Sequence, residues 1–360
     1  MRLGLILGTR PEIIKMCPII RECIKLNLNY FVIHTGQHYS YEMDRVFFEQ
    51  LELPDPDYNL DAGSGTHGEQ TGKMLVGIEK VLMIEKPDII FVQGDTNTVA
   101  AGTLAAVKLG IKVGHVEAGL RSYDKSMPEE VNRILSDHLS DYLFVPTQEA
   151  RSNLLKEGID ENKIFLTYNT ITDSVYQNIE VAKKKSNILD KLNLEPNEYF
   201  LVTAHRQENV DVEDRIVGII SGLSLVASYF STPILFPMHP RTLKRIQEFN
   251  LELPESVQII EPLGFLDFLN LEANAKLIIT DSGGLQEESC ILNIPCVTLR
   301  DNTERPETLE VGSNMLASTT PSCILECVNT MLSKENEWTN PFGDGTSSKQ
   351  ILSIVRRELS

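Results

Sequence analysis

The chain has 360 residues, with 33 Lys and Arg against 51 Asp and Glu and a formal net charge of −18. At roughly 100–200 residues per domain this length predicts two domains or one very large one, and 42% hydrophobic with 23% charged residues excludes a disordered polymer. The acidic surplus argues against binding to nucleic acid or an anionic membrane, which needs a basic face, and no run of about 18 apolar residues offers a membrane span.

The opening MRLGLILGTRPE reads as a buried first strand followed by a charged turn, not as a secretory signal, so the expected location is the cytoplasm. Further short apolar runs at 30–35, 89–93, 113–117 and 142–146 predict strands, with helices at 69–85 and 98–109. Met74, Leu75, Ile78, Val81 and Leu82 keep the three-and-four spacing of one apolar helix face. A weaker strand at 164–167 leads into a helix at 171–182, and the Lys-rich 183–187 reads as a solvated helix end or linker. Strand-like runs then resume at 199–203, 234–237, 257–260, 277–280 and 296–299. This alternation predicts an α/β protein of two parallel-sheet halves, 1–170 and 171–345, with a final helix within 346–360 packing back on the first. The six cysteines, at 17, 23, 290, 296, 323 and 327, form no C-x-x-C pair, and the seven histidines stand singly, so neither a disulfide framework nor a metal centre is expected.

Polar residues gather where strands end: Gly8-Thr9-Arg10, Thr35-Gly36-Gln37-His38, Gln93-Gly94-Asp95-Thr96 and His115 to Gly119 in the first half; Thr203 to Arg206, Met238 to Arg241 and Asp281 to Gly284 in the second. Ligands of open parallel sheets sit beyond the carboxyl ends of the strands, so two facing halves would line one inter-domain cleft. Asp281-Ser282-Gly283-Gly284 is either a tight strand–helix turn or a place where a phosphate meets free N–H groups at the positive end of a helix. Arg10 and Lys15 are the first half's cations nearest to such an anion. Asp95 and Glu117 end successive strands. They suit acid–base work, although Asp95 could instead cap the next helix and Glu117 could pair with Arg121. Glu129 and Glu130 follow Pro128 in a helical first turn, where capping alone would explain acids.

Seven ordered motifs, Gly8-Thr9-Arg10-Pro11-Glu12, Gln93 to Thr96, His115 to Ser122, Pro128 to Arg133, His205 to Asn209, Asp281 to Glu288 and Arg300 to Glu307, strongly resemble the non-hydrolysing UDP-N-acetylglucosamine 2-epimerases across nearly the whole chain. The resemblance implies a GT-B architecture of two Rossmann-like domains and reversible conversion of UDP-GlcNAc to UDP-ManNAc with neither cofactor nor metal. It further implies anti elimination of UDP to a 2-acetamidoglucal and re-addition, a homodimer, and a role in surface polysaccharide synthesis. By motif it assigns catalysis to Asp95, Glu117, Glu129 and His205. Arg10, Ser282, Gly283 and Gly284 would hold the pyrophosphate, Glu288 the ribose and the backbone near Phe268 the uracil, with Lys15, His239 and Arg305 completing the site. Gln37 and His38 match the part of bacterial members that binds a second, regulatory UDP-GlcNAc, whereas 63–70 resembles archaeal members and epimerases of diacetamido uronic acids. Tyr168 stands where the family usually has glycine. A UDP-2,3-diacetamido uronic acid substrate, a hydrolysing relative and a non-catalytic nucleotide-sugar sensor are the competing readings. Thr303-Glu304-Arg305 in place of Thr-Glu-Trp speaks against the first, the intact Gly8 to Glu12 against the second, and the full set of acids against the third.

Overall fold

The computed structural model describes residues 1–36 and 41–359, and the side chains of all of these except 41–44. Gln37 and His38, the residues matched to a regulatory site, lie outside the described residues. The described chain forms two compact units, Met1–Gln177 together with Phe342–Ser360, and Asn178–Pro341.

In the first unit the order is β1 (Arg2–Leu7), α1 (Arg10–Lys25), β2 (Asn29–His34), α2 (Tyr41–Gln50), β3 (Tyr58–Asn59), α3 (His67–Glu85), β4 (Ile89–Gln93) and α4 (Asn97–Lys108). It continues through β5 (Lys112–Val116), α5 (Pro128–Leu139), β6 (Tyr142–Val145), α6 (Gln148–Lys156), β7 (Ile164–Leu166) and the start of α7 (Thr170–Lys185). The strands pair in parallel in the order β3-β2-β1-β4-β5-β6-β7. Ile89 to Gln93 is buried at every position because helices cover both faces of a parallel sheet. On one face Met74, Ile78, Val81 and Leu82 of α3 and Val99, Ala101 and Ala105 of α4 close over Ile6, Ile90 and Val92. Burying each large side chain contributes about 1.5–3 kcal/mol.

The second unit takes the rest of α7, then α8 (Ile188–Leu192), β8 (Phe200–Thr203), α9 (Gln207–Val210), α10 (Glu213–Phe230), β9 (Ile234–Pro237), α11 (Pro240–Glu248) and β10 (Val257–Ile260). After these come α12 (Phe265–Ala273), β11 (Leu277–Thr280), α13 (Gly283–Ile291), β12 (Cys296–Thr298), α14 (Pro306–Glu310), β13 (Asn314–Leu316) and α15 (Pro321–Ser333). Its sheet is also parallel, in the order β10-β9-β8-β11-β12-β13.

The chain then returns to the first unit, where α16 (Ser347–Glu358) buries Ile351, Leu352 and Val355 and packs on α1. The contact boundary falls at Gln177 and again before Phe342, inside α7 and ahead of 345. Hydrogen bonds explain both positions. The Asn169 N–H and the Thr172 hydroxyl donate to the Phe342 carbonyl at 3.0 and 3.1 Å, and Asp173 accepts from the Ser347 and Ser348 N–H groups at 3.1 and 2.9 Å. The Lys-rich stretch proves to be the end of α7, with Lys183, Lys184 and Lys185 against its negative terminus. Tyr168 has φ +62°, a left-handed conformation that glycine adopts without cost. Opposite it, Gly343 has φ +113°, and a Cβ there would stand 2.6 Å from that of Tyr168. Among the described residues no helix is long and apolar enough to cross a membrane.

Candidate active site

Strand order locates the places where a ligand can sit. The sequence of strands reverses direction between β1 and β4 in one unit and between β8 and β11 in the other. Crevices open at such switch points, beyond the carboxyl ends of the strands. Gly8 to Arg10 and Gly94 to Thr96 follow the first pair; Ala204 to Arg206 and Asp281 to Gly283 follow the second.

In the first unit the carboxylates are held by cations and amides. Lys15, one turn into α1, donates to both oxygens of Glu117 at 2.6 and 2.7 Å, and the Gln93 amide at the end of β4 donates to Oε2. Glu117 is 7% exposed and has φ +66°. A left-handed glutamate is strained by about 1–2 kcal/mol and persists only where its surroundings enforce it. Gly119 completes the turn at φ +82°, where a Cβ would strike the Ala150 carbonyl oxygen at 2.4 Å. Asp95 takes Arg133 Nε at 3.0 Å and Nη2 at 2.5 Å on the same oxygen, Oδ2, leaving Oδ1 outside the ion pair. Asp95 and Glu129 line one pocket of about 300 Å³ with Ser64, Gly65, His67, Gln70, Thr96, Asn97, Pro128 and Asn132.

Adjacent acids take opposite parts in this region. Glu129 is exposed toward the pocket. Glu130 is buried, accepts the Ser122 and Tyr123 N–H groups at 3.0 and 2.9 Å, and braces Arg133 at 2.8 Å. Burial works against the Glu130 charge, but these donors and Arg133 win and hold its carboxyl below the usual range. Glu12, at the third position of α1, accepts the Gly8 and Thr9 N–H groups at 2.8 and 2.7 Å and the Thr96 hydroxyl at 2.6 Å. It therefore ties the β1 end to the pocket wall. Burial outweighs those donors and raises its carboxyl from 4.5 to about 7.

The expected alternatives for two of these acids are corrected. Arg121 pairs with Asp137 and Glu157, each at 2.7 Å, and not with Glu117. The left-handed turn between 117 and 119 sends the two side chains apart. Asp137 also accepts His115 Nδ1 at 2.7 Å, while the Gly94 carbonyl takes His115 Nε2 at 2.8 Å. With acceptors on both ring nitrogens, His115 carries two protons. Its burial opposes that, but the Asp137 charge prevails and its pKa rises. Thr96, not Asp95, stands at the N-cap position of α4, and its hydroxyl is given to Glu12. Arg10 lies over the Phe47 ring, 4.8 Å from its centroid.

The second unit presents imidazoles and a helix start. Asp281 is fully buried and accepts the His205 and Arg206 N–H groups at 3.0 Å each, the Asn209 amide at 3.1 Å, and lies 3.3 Å from His205 Nδ1. Burial alone would raise its carboxyl; these donors hold it below the usual range. With Nδ1 turned to Asp281, the half-exposed His205 keeps Nε2 for a ligand. His239 lies beside it, ring centroids 6.1 Å apart, and its Nδ1 accepts the Arg241 N–H at 3.2 Å. Burial, then the charges of His205 and Arg241, lower the His239 pKa.

Ser282 stands at the N-cap position of α13 without a side-chain capping bond, and Gly283 and Gly284 supply the first N–H groups of that helix, which have no partner within it. A Cβ at Gly283 would meet Arg206 Nη2 at 3.8 Å, so a guanidinium stands beside this helix start. A pyrophosphate there would meet N–H donors, the helix dipole and a cation, the last facing the Glu304 carboxylate 3.8 Å away. Burial, and then the charge of Glu288 further along α13, raise the carboxyl of the buried Glu272 of α12 well above the usual range. Arg305 pairs with Glu287 at 2.7 Å. Phe268 packs half-buried in α12 against the hydrophobic core, and its own N–H donates to the Gly264 carbonyl at 3.0 Å. Glu12, Gln93, Arg133, Arg206 and Glu272 carried no individual expectation. Only Arg206 had a readable signal, its place directly after a strand-end histidine.

Residues 22–356 match the family described as UDP-N-acetylglucosamine 2-epimerase. The chain is 56% identical over 361 residues, 99% of each chain, to the UDP-N-acetylglucosamine 2-epimerase of Methanocaldococcus jannaschii. It is 39% identical, over 99% of its length and 100% of the relative's, to the UDP-2,3-diacetamido-2,3-dideoxy-D-glucuronate 2-epimerase of Pseudomonas aeruginosa. A crystal structure of the M. jannaschii UDP-GlcNAc 2-epimerase, in complex with UDP-GlcNAc and UDP, matches with a TM-score of 0.88 at 56% identity, covering 99% of this chain and 100% of that one. The expected fold class stands: both units carry Rossmann-like parallel sheets of the GT-B type. On sequence and structure alike, the chain belongs to the UDP-N-acetylglucosamine 2-epimerase family.

Proposed function

We propose that this protein interconverts UDP-N-acetylglucosamine and UDP-N-acetylmannosamine, as an isomerase working without hydrolysis. The second unit holds the UDP part: N–H groups at the start of α13, Ser282 and Arg206 on the pyrophosphate, Glu288 on the ribose and the Phe268 segment on the uracil, while Arg10 of the first unit adds a cation for the pyrophosphate. His205, with His239 and Arg305 near, serves the leaving phosphate. The carboxylates Asp95, Glu117 and Glu129 of the first unit move the protons.

A C2–H next to no carbonyl is a weak acid, so departure of UDP must accompany its removal. One carboxylate takes the C2 proton while the C1–O bond breaks and its electron pair leaves on UDP, giving the 2-acetamidoglucal. Return of UDP to C1, with a proton delivered to the opposite face of C2, yields the epimer. Cations and N–H donors on the pyrophosphate stabilise the charge that develops as it leaves, and positioned acids and bases typically contribute 10²–10⁴-fold.

The observation that supports this reading most is the pairing of an acid cluster on one unit with an anion-ready helix start on the other. A sensor requires only the latter. The chain's 56% identity to a UDP-N-acetylglucosamine 2-epimerase, against 39% to an epimerase of a diacetamido uronic acid, favours the simpler sugar. We further infer a cytoplasmic homodimer, from the family and from cysteines that are mostly buried.

The test is incubation with UDP-GlcNAc in D₂O, read by NMR and mass spectrometry. UDP-ManNAc with one deuterium at C2 is expected. Free N-acetylmannosamine would move the chain to the hydrolysing branch, and no reaction, with turnover of the diacetamido uronic acid instead, would overturn the choice of sugar. Light scattering of the purified protein reads the dimer.

A further inference from the structure

We infer that His67 is a further substrate-binding residue, donating a hydrogen bond from Nε2 to the sugar in the pocket of Asp95 and Glu129. The inference rests on the reading that this pocket receives the sugar, and its argument is one of hydrogen-bond direction.

His67 is the first residue of α3 and lines that pocket. Its place is rigid because Thr66 and Glu69 cap the helix reciprocally, Glu69 Oε2 accepting the Thr66 N–H at 3.2 Å and Thr66 Oγ1 the Glu69 N–H at 3.4 Å. Behind the pocket wall runs a chain of side-chain amides whose orientation is set from both ends. The Gln70 amide nitrogen donates to the Gly63 carbonyl at 2.8 Å, so Gln70 Oε1 must accept, and it accepts the Asn97 amide nitrogen at 2.9 Å. At the other end the Asn132 amide nitrogen donates to the Asp95 carbonyl at 2.9 Å and to Asn97 Oδ1 at 3.3 Å. Backbone carbonyls can only accept, so no amide in this chain can be flipped without setting donor against donor.

Asn97 therefore turns its NH₂ toward His67, and that nitrogen lies 3.2 Å from His67 Nδ1, nearer than Asn97 Oδ1, which stands 3.5 Å away and already accepts from Asn132. Nδ1 accepts. In the neutral ring the proton is then on Nε2, and His67 offers a fixed donor from the same wall that carries two carboxylates. Those carboxylates can only accept while ionised, whereas hydroxyl and acetamido oxygens of a sugar also need donors. His67 supplies one.

The experiment compares His67→Asn, which keeps a group at the Nδ1 position but removes the distal donor, with His67→Gln, whose amide reaches the Nε2 position. Expected is a 10–100-fold fall in kcat/KM for UDP-GlcNAc in His67→Asn, recovery to within about threefold of wild type in His67→Gln, and unchanged UDP affinity in both. A ¹⁵N-edited NMR spectrum of the His67 ring should report the Nε2–H tautomer and shift on adding UDP-GlcNAc but not UDP. Normal turnover in His67→Asn while Asp95→Asn is inactive would overturn the role of His67 alone. Normal turnover in both would show that the sugar does not react in this pocket. Equal loss in His67→Asn and His67→Gln, with no ring shift on UDP-GlcNAc, would reduce His67 to a structural part and also overturn the proposal.

Discussion

The two switch points solve different electrostatic problems with different materials. At the first, acids are gripped: Glu117 by Lys15 and Gln93, Asp95 by Arg133, with Glu130 and Glu12 bracing from behind. At the second, the buried acid Asp281 does the gripping, and what it aims outward is an imidazole, beside backbone N–H groups and Arg206. Holding an anion needs donors fixed by the fold, which a helix start supplies from any small residues. Moving a proton needs ionisable side chains whose neighbours are individually placed.

The largest test of that contrast is chemical. Asp95→Asn and Glu117→Gln should each lower turnover by about 10²–10⁴-fold while UDP affinity stays within about threefold, measured by steady-state kinetics and calorimetry. Near-normal turnover in either would remove that residue from the chemistry. Next is Glu12, whose folded-state pKa is raised from 4.5 to about 7 by burial. Between those values the folded chain keeps a proton that the unfolded chain has released, so its stability falls as pH rises, by roughly 3 kcal/mol in all. Glu12→Gln should flatten this part of the stability–pH curve; a slope identical to wild type in urea titrations from pH 5 to 8 would contradict the burial argument. Smaller still, Arg206→Ala should weaken UDP binding by about 1.5–3 kcal/mol, and Ser282→Ala by about 1 kcal/mol, with little change in the chemical step. Unchanged affinity in both would mean the pyrophosphate lies elsewhere.

How far the sequence reveals these features depends on how local their causes are. Ile89–Gln93, Ile234–Pro237 and Leu277–Thr280 have the bounds their apolar runs predict, because burial on both faces writes itself into consecutive residues; Val257–Ile260 also keeps its expected bounds, although at the sheet edge Gln258 and Ile259 are exposed. The two-residue β3 and the three-residue β13 leave no such trace. Asp95 and Glu117 were visible as acids ending strands, and the helix start at Ser282 as Gly-Gly after a strand. Their partners were not, since Lys15 reaches Glu117 across 102 residues. Proximity in sequence misled for Arg121, where a left-handed turn intervenes. Nor could spacing separate Glu129 from Glu130: both suit a helical first turn, and only the path of residues 122 and 123 decides which is buried.

Tyr168, just ahead of α7, and Gly343, just after the chain comes back into the first unit, face each other. A side chain occupies the left-handed position at 168, and the opposite strand of the crossing has given up its own side chain to make room. The two positions are therefore epistatic. Gly343→Ala should cost about 1–3 kcal/mol in thermal or urea unfolding, through both its clash and its φ of +113°. The same change made on a Tyr168→Gly background should cost less, because the steric part is gone and only the backbone part is left, a coupling that a double-mutant cycle reads directly. A substitution scan of either position alone would thus report a tolerance that belongs to the pair.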